Sequence, residues 1–436
     1  MVASQTFRSL RVRNYRLFLS GTVVSNIGTW VQRVAQDWLV LQLTHHNGAA
    51  LGITTGLQFL PVLLGGLWGG VITDRYNKRR LLMCTQVLFG LVALLLGVLT
   101  VTGLVQVWYV YILAFATGAV TIFDNPSRQI FVVEMVGPDD VSNAVGLNSA
   151  SFNLARIAGP AVAGFLIAII GTGPLFFFNA ASYLAVIASL IAMRESELQV
   201  QPRIARARGQ LVAGLRYVVA KPELLLPLIM VAFIGTFGLN FQILTALFAT
   251  NVFHRGASSY GLLTSAVAAG SLIGALYSAR RSRPTTLVLV GAGIVFGVLE
   301  IVCGLMPTYL AFAVLLVPTG LAALVISTSA NSTVQLHSDP SVRGRVMALY
   351  LLVFMGGTPI GAPFIGWLAD QFGPRSGLLF GGAISILATV FAILLVLHLQ
   401  NRGVRSWFRQ QRYGLSPVDE EEDDTEEDEG RRLETA

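Results

Sequence analysis

Apolar windows of about 20 residues recur from one end of the chain to the other, at roughly 17–43, 50–72, 81–103, 107–130, 141–170, 174–193, 224–250, 259–279, 286–305, 309–334, 346–370 and 376–398. As a helix, each is long enough to cross ~30 Å of hydrocarbon. In lipid a backbone must satisfy its polar groups internally, so such windows have few other folds open to them. The spacing therefore predicts an all-α membrane protein of twelve transmembrane helices. The mean hydropathy of +0.67 agrees. So does a charged fraction of 12%, against roughly a quarter in soluble domains.

The cations set the expected orientation. Arginines crowd the basic, amphipathic segment "MVASQTFRSLRVRNYR", which runs into the first window with no cleavable signal before it. "DRYNKRR" separates spans two and three, and Arg203, Arg206, Arg208, Arg216 and Lys221 follow span six. "RRSRP" follows span eight, Arg343 and Arg345 precede span eleven, and Arg402, Arg405, Arg409 and Arg412 follow span twelve. The alternate loops hold only Arg255 and Arg375. The positive-inside rule then places both termini and every basic loop in the cytoplasm, with the chain in a bacterial inner (plasma) membrane.

The formal charge of +7 conceals two opposed parts: the tail from Asp419 holds 11 of the 23 acids and only two arginines. Like charges repel and this tail has nothing apolar to bury, so it is expected to be disordered, either solubilising or available for docking. The remaining cationic surface suits an anionic leaflet. No compact basic domain points to nucleic acid. Cys84 and Cys303 fall inside spans, which argues against a disulfide framework. The five histidines have no metal-ligand spacing, and neither Lys78 nor Lys221 follows a P-loop glycine pattern, so no metal or other cofactor is expected.

The chain also repeats itself. "TGAVTIFDNP" in span four aligns with "TGLAALVIST" in span ten at an offset of 202 residues, and the same offset pairs Leu147 with Leu349, Gly159 with Gly361, Gly164 with Gly366 and Gly171 with Gly373. Gly52 and Thr55 match Gly261 and Thr264 at 209. Two parallel six-helix halves place a substrate site at their interface near mid-membrane. The expected organisation is an amphipathic N-terminus (1–16), a first half (17–193), a central loop (194–222), a second half (223–398), and a basic segment with the acidic tail (399–436).

Twelve spans in a six-plus-six arrangement, a long central loop and "GVITDRYNKRR" after span two together resemble the major facilitator superfamily over residues 10 to 400. The family's loop motif is matched by Gly70, Asp74, Arg75, Lys78 and Arg79, with Asn77 in place of a glycine. Both residue types tolerate a left-handed turn. "LARIAGPAVAG" is similar to the glycine-proline motif of the superfamily's antiporters, carried by Gly159, Pro160 and Gly164 beside Arg156. "WVQRVAQDWLVLQLT" and "DNPSRQIFVVEMVGPDDVSNAVGLN" resemble the exporter branch labelled transmembrane secretion effectors. The resemblance implies that Asp74 caps the start of span eleven. It also implies that Lys78 pairs with Asp124, latching the halves on the cytoplasmic side. A plain topology anchor is the other reading of "DRYNKRR", and ordinary helix packing that of the glycine-proline motif.

Charges within spans are expensive and mark functional sites, at roughly 2.5–3.5 kcal/mol each near a helix centre. Arg33 and Asp37 share a helix face in span one, yet an i,i+4 pair returns only ~0.2–0.5 kcal/mol, and Arg before Asp is the poorer order. Local stability does not explain them. In the family, span one lines the central cavity, so Asp37, Arg33 and Asp124 are the proton-coupling candidates. Asp37 should accept a proton when Arg33 turns to another partner; a structural ion pair is the alternative. Asp124, Arg128 and Arg156 suggest a structural network. Glu300 stands alone in span nine as a protonated or snorkelling side chain.

The sequence reads as a secondary active transporter, not an enzyme, exporting amphipathic drug-like molecules or siderophores by alternating access with proton antiport. Spans one, four, seven and ten would line the cavity through Asn26, Trp30, Gln32, Gln36, Asn240, Phe241, Gln242, Ser327, Thr328 and Ser329. The expected partners are a small-molecule substrate, protons and the lipid bilayer, and a monomer is expected. A non-transporting receptor or assembly factor that docks through the acidic tail is the other reading.

Overall fold

In the computed structural model, residues 7–199, 210–219, 221–280, 286–340 and 342–400 are described, and among them every regular element is helical. The N-terminal segment before residue 7 and the acidic tail lie outside them. The spans are Arg13–Leu43, Gly48–Arg75, Lys78–Val101, Val107–Val136, Val141–Ile170 and Gly173–Ile191 in the first half. In the second half they are Pro222–Val252, Ala257–Ala279, Thr286–Leu305, Tyr309–His337, Arg343–Phe372 and Pro374–Gln400. Eleven of the twelve are long and apolar enough to cross a membrane. Span one has the length, 31 residues, but intersperses it with Asn, Gln, Thr, Arg and Asp. Six of its polar residues lie buried: Asn14, Thr22, Ser25, Gln32, Gln36 and Asp37. A helix polar on its protected face belongs in the interior of a bundle, not against lipid.

One end of the bundle carries the start of span one, the end of span twelve and the basic loops, and is called the basic end below; the opposite end is the far end. Span two packs on span eleven and span five on span eight, which joins the halves. The glycines paired by the repeat make these joints possible. A Cβ on Gly52 would strike the Ala362 carbonyl, and one on Gly261 the Pro160 carbonyl. Likewise Gly366 abuts the Gly48 carbonyl and Gly164 that of Ala257. The two joints are thus related by the same internal repetition, and small residues let the backbones touch.

Hydrogen bonds join the halves at the far end and at mid-depth. Asp370 accepts from the Gly48 and Ala49 amides at 2.6 and 2.8 Å, Ser258 donates to the Gly164 carbonyl, and Ser265 to that of Ile157. Asn251 donates to the His46 carbonyl. The far end is sealed in this state.

The second half is less regular. Span seven contains π-helical turns at Ile234–Gly238 and Phe248–Val252. Span eleven breaks at Gly356 and Gly357, and a Cβ on Gly357 or Gly361 would run into Thr236 of span seven. The two interruptions therefore meet. Asn240 Nδ2 donates to the Thr236 carbonyl at 2.8 Å, satisfying backbone at the distortion.

Candidate functional site

Asp37, 2% exposed, leaves the first half through its side chain. Its Oδ2 accepts from Gln242 Nε2 of span seven at 2.5 Å and from the Tyr260 hydroxyl of span eight at 2.7 Å. Trp38 stacks on Tyr260 with ring centroids 6.4 Å apart, which holds the phenol in place. One carboxylate thus links three spans across the joint between the halves.

Among the described residues Arg33 makes no ion pair within 4 Å, so it and Asp37 act on each other through space without the direct contact that their spacing suggested. Two neutral donors from the other half take the carboxylate instead. The guanidinium of Arg33 lies over the Trp30 ring at 5.4 Å and the Phe59 ring at 5.7 Å, with its Nε buried and without a hydrogen-bond partner. Cation–π contacts take the place of a direct ion-pair contact.

Asp124 is placed with other partners than Lys78. Thr85 and Gln86 of span three each donate to its Oδ1 at 2.7 Å, and Arg128 reaches its Oδ2 at 3.2 Å. Arg128 also reaches Thr22 of span one at 3.4 Å and lies over the Phe18 ring. This network stays inside the first half, tying spans one, three and four. Lys78 donates to the Tyr76 carbonyl, and Arg75 is exposed. Arg79 donates to the Leu190 and Ile191 carbonyls at the end of span six and pairs with Glu195. A cation there complements the negative end of that helix. Asn77 corrects the left-handed expectation: at φ −65° it is extended, and its side chain accepts from the Arg80 amide as the N-cap of span three. Gly70 and Asp74 fall within the helix of span two, and nothing of the Asp74 side chain is described.

On span five, Gly159 lets Trp30 of span one sit against the backbone, since a Cβ there would lie 2.6 Å from Trp30 Cβ. Pro160 lacks an amide hydrogen and leaves the Arg156 carbonyl without its helical donor. Arg156 does not join Asp124 and Arg128; its Nε and one terminal nitrogen are buried without partners.

The polar cavity candidates divide. Gln242 lies at the seam on Asp37, Gln36 is buried, and Asn26 reaches Ser151 of span five at 3.3 Å. Gln32 instead turns into the first half, where Asn179 of span six donates to it at 2.6 Å. Phe241 packs edge-on against Phe296 of span nine, inside the second half. Ser327 bonds its own helix and Thr328 meets Ser278 of span eight, while Ser329 is buried. Glu300 is fully buried, within reach of Ser385 of span twelve and beside Gly238, so it does not snorkel.

Sequence reasoning passed over Tyr260 and Asp370. A lone acid at the far end of span eleven was a signal for Asp370; a tyrosine one turn into span eight offered none. Among the described residues, no group of three His, Cys, Asp or Glu could hold a metal ion.

A family model described as transmembrane secretion effector matches residues 4–421. The chain is 24% identical over 408 residues to a staphyloferrin A transporter of Staphylococcus aureus, covering 92% of this chain and 100% of that one. It is 28% identical over 397 residues to the multidrug efflux pump Tap of Mycolicibacterium fortuitum, covering 87% and 95%. Among solved structures, a bacterial homologue of the human lysosomal transporter Spinster superposes with a TM-score of 0.72 at 16% identity, over 89% of this chain and 98% of that one.

Proposed function

The chain belongs to the transmembrane secretion effector family, and from that premise we propose that it exports small amphipathic molecules of the drug or siderophore kind by alternating access, in exchange for protons. The observation that carries the reading is Asp37, an acid in the first half whose two hydrogen-bond donors both belong to the second. With the basic end in the cytoplasm, the far-end seal closes the site to the outside. Substrate then enters from within.

Opening outward must pull Gln242 and Tyr260 away from Asp37 and Asp370 away from the start of span two. A carboxylate stripped of both donors at mid-bundle is costly as an anion, so it takes a proton from the external side. Re-closure offers the donors again, favours the anion, and expels the proton once the site faces inward. Proton entry and substrate exit thereby share one conformational cycle, within a single chain and with no covalent step.

The test is uptake of two fluorescent drug-like dyes, anionic carboxyfluorescein and cationic rhodamine 123, into inverted membrane vesicles, followed with whichever dye the parent protein accumulates. Asp37→Asn, which keeps an acceptor for Gln242 and Tyr260, should abolish accumulation driven by a pH gradient while dye counterflow without a gradient survives. An Asp37→Asn protein with normal gradient-driven accumulation would refute the proton assignment.

A further inference from the structure

Between spans one, two and five lies a group of nitrogens with no hydrogen-bond partner among the described residues. Arg33 Nε, Arg156 Nε and a terminal nitrogen of Arg156, and Trp30 Nε1 are all buried without a hydrogen-bond partner. All four are donors. They are also neighbours in the fold. Trp30 and Arg33 share a face of span one, three residues apart, and the guanidinium of Arg33 sits over the Trp30 ring. On span five, Phe152, Arg156 and Gly159 share a face at i, i+4 and i+7. Both ends of that face touch Trp30: Phe152 meets it edge-on at 5.8 Å and Gly159 underlies its Cβ. Arg156 is therefore held on the Trp30 side.

Buried polar groups in folded proteins are nearly always satisfied, so several unsatisfied donors in one place call for an acceptor from elsewhere. The charges agree. Of the other ionisable residues deep in the spans, Asp124 and Arg128 pair with each other, Glu300 lies in the second half against Ser385, and Asp37 is occupied by Gln242 and Tyr260. Asp37, one turn from Arg33 and held only by neutral donors, sets one carboxylate against two guanidiniums, so the region is net positive, and among the described residues no carboxylate is in hydrogen-bond contact with either guanidinium. A cationic occupant would be repelled, and a neutral one would leave donors unmet. A carboxylate presents about four lone-pair sites to forked guanidinium donors. Trp30, Phe59 and Phe152 line the same place with aromatic rings.

We propose that this is an anion site and that the exported substrate is an amphipathic organic acid. Its carboxylate lies between Arg33 and Arg156, and its apolar body rests on Trp30, Phe59 and Phe152. The assignment rests on the exporter reading for the word substrate, but the site itself can be tested without transport.

The experiment uses the full-length chain purified in detergent and two dyes on the same xanthene core, anionic carboxyfluorescein and cationic rhodamine 123, with binding read by fluorescence anisotropy. Carboxyfluorescein should bind at least about tenfold more tightly than rhodamine 123. Arg33→Gln and Arg156→Gln should each weaken it by about tenfold or more, the loss expected for one charge-assisted hydrogen bond. Arg33→Lys and Arg156→Lys, which keep the charge and lose the fork, should weaken it less, and they carry the test if a glutamine variant does not fold. Equal binding of the two dyes, no binding of carboxyfluorescein, or parental affinity in the variants would overturn the anion site. Selective binding without accumulation of carboxyfluorescein in inverted vesicles would refute the exporter reading and leave the site standing. Accumulation of rhodamine 123 alone would do the reverse.

Discussion

Asp370→Ala should loosen the far-end seal. Asp370 stands on span eleven and receives the Gly48 and Ala49 amides, the first two of span two, at 2.6 and 2.8 Å. Those amides have no acceptor within their own helix, and the positive end of the helix favours an anion there. Removing a side-chain acceptor at a helix start costs about 0.5–2 kcal/mol. Here Asn47 still caps the Ala50 amide at 2.7 Å, and the Ala49 bond lies exposed, so the lower part of that range applies. Because the contact exists only while the far end is closed, about 1 kcal/mol lost from the closed state raises the open-to-closed ratio about fivefold. The assay is labelling of a Ser258→Cys sensor by a membrane-impermeant maleimide, with Cys84 and Cys303 replaced. Ser258 donates to the Gly164 carbonyl at the companion joint, so its accessibility reports separation of the halves. Asp370→Ala should label about fivefold faster than the parent, and Asp370→Asn, which keeps one acceptor oxygen, should fall between. A rate within twofold of the parent in the alanine variant would refute the claim that this cap holds the seal.

Two further outcomes follow from the packing and from the central-loop helix. Gly261→Val places a branched side chain against the Pro160 carbonyl and should block far-end closure, giving an expressed protein that labels rapidly at the sensor but fails to accumulate dye. A variant that still closes would show that spans five and eight can shift apart at little cost. At the basic end, the hydroxyl of Tyr217, aided by Lys221, holds the Asp339 carboxyl below its usual range and joins the helix Gln210–Val219 to the loop before span eleven. A depressed carboxyl stabilises above its unfolded pKa and loses that contribution as pH falls through its folded value. Tyr217→Phe removes the leading cause, so hydrogen exchange in 210–219 should begin to rise at a higher pH than in the parent; an identical pH profile would contradict this.

How much of this was legible beforehand differs by kind of interaction. The twelve-helix architecture was written in the chain because apolar length and loop charge are local properties, and lipid leaves helices almost no alternative. The correspondence of the two halves was legible as well, though not which spans join them. Gly52 with Gly261, and Gly164 with Gly366, appear at matching offsets because each pair meets the same steric demand twice, where one backbone must touch another. The sequence also singled out Asp37, since an acid in an apolar window is too expensive to be accidental.

Partner choice was not legible. Four-residue spacing offered Arg33 to Asp37, but spacing along one helix says nothing of a donor 205 or 223 residues away, and Gln242 and Tyr260 hold the carboxylate. Lys78 and Asp124 likewise separated, because Thr85, Gln86 and Arg128 lie nearer on packed helices of the same half. Gln32 and Phe241 have the residue types of a cavity wall but the rotational phase of a helix–helix contact, which is set by how the bundle closes. Composition and periodicity decided that this chain crosses a membrane as two like halves. Which buried charges are satisfied, and which donors of Arg33, Arg156 and Trp30 are left facing an unfilled need, was decided only when distant helices packed, because hydrogen-bond geometry depends on ångström-scale placement that no local pattern encodes.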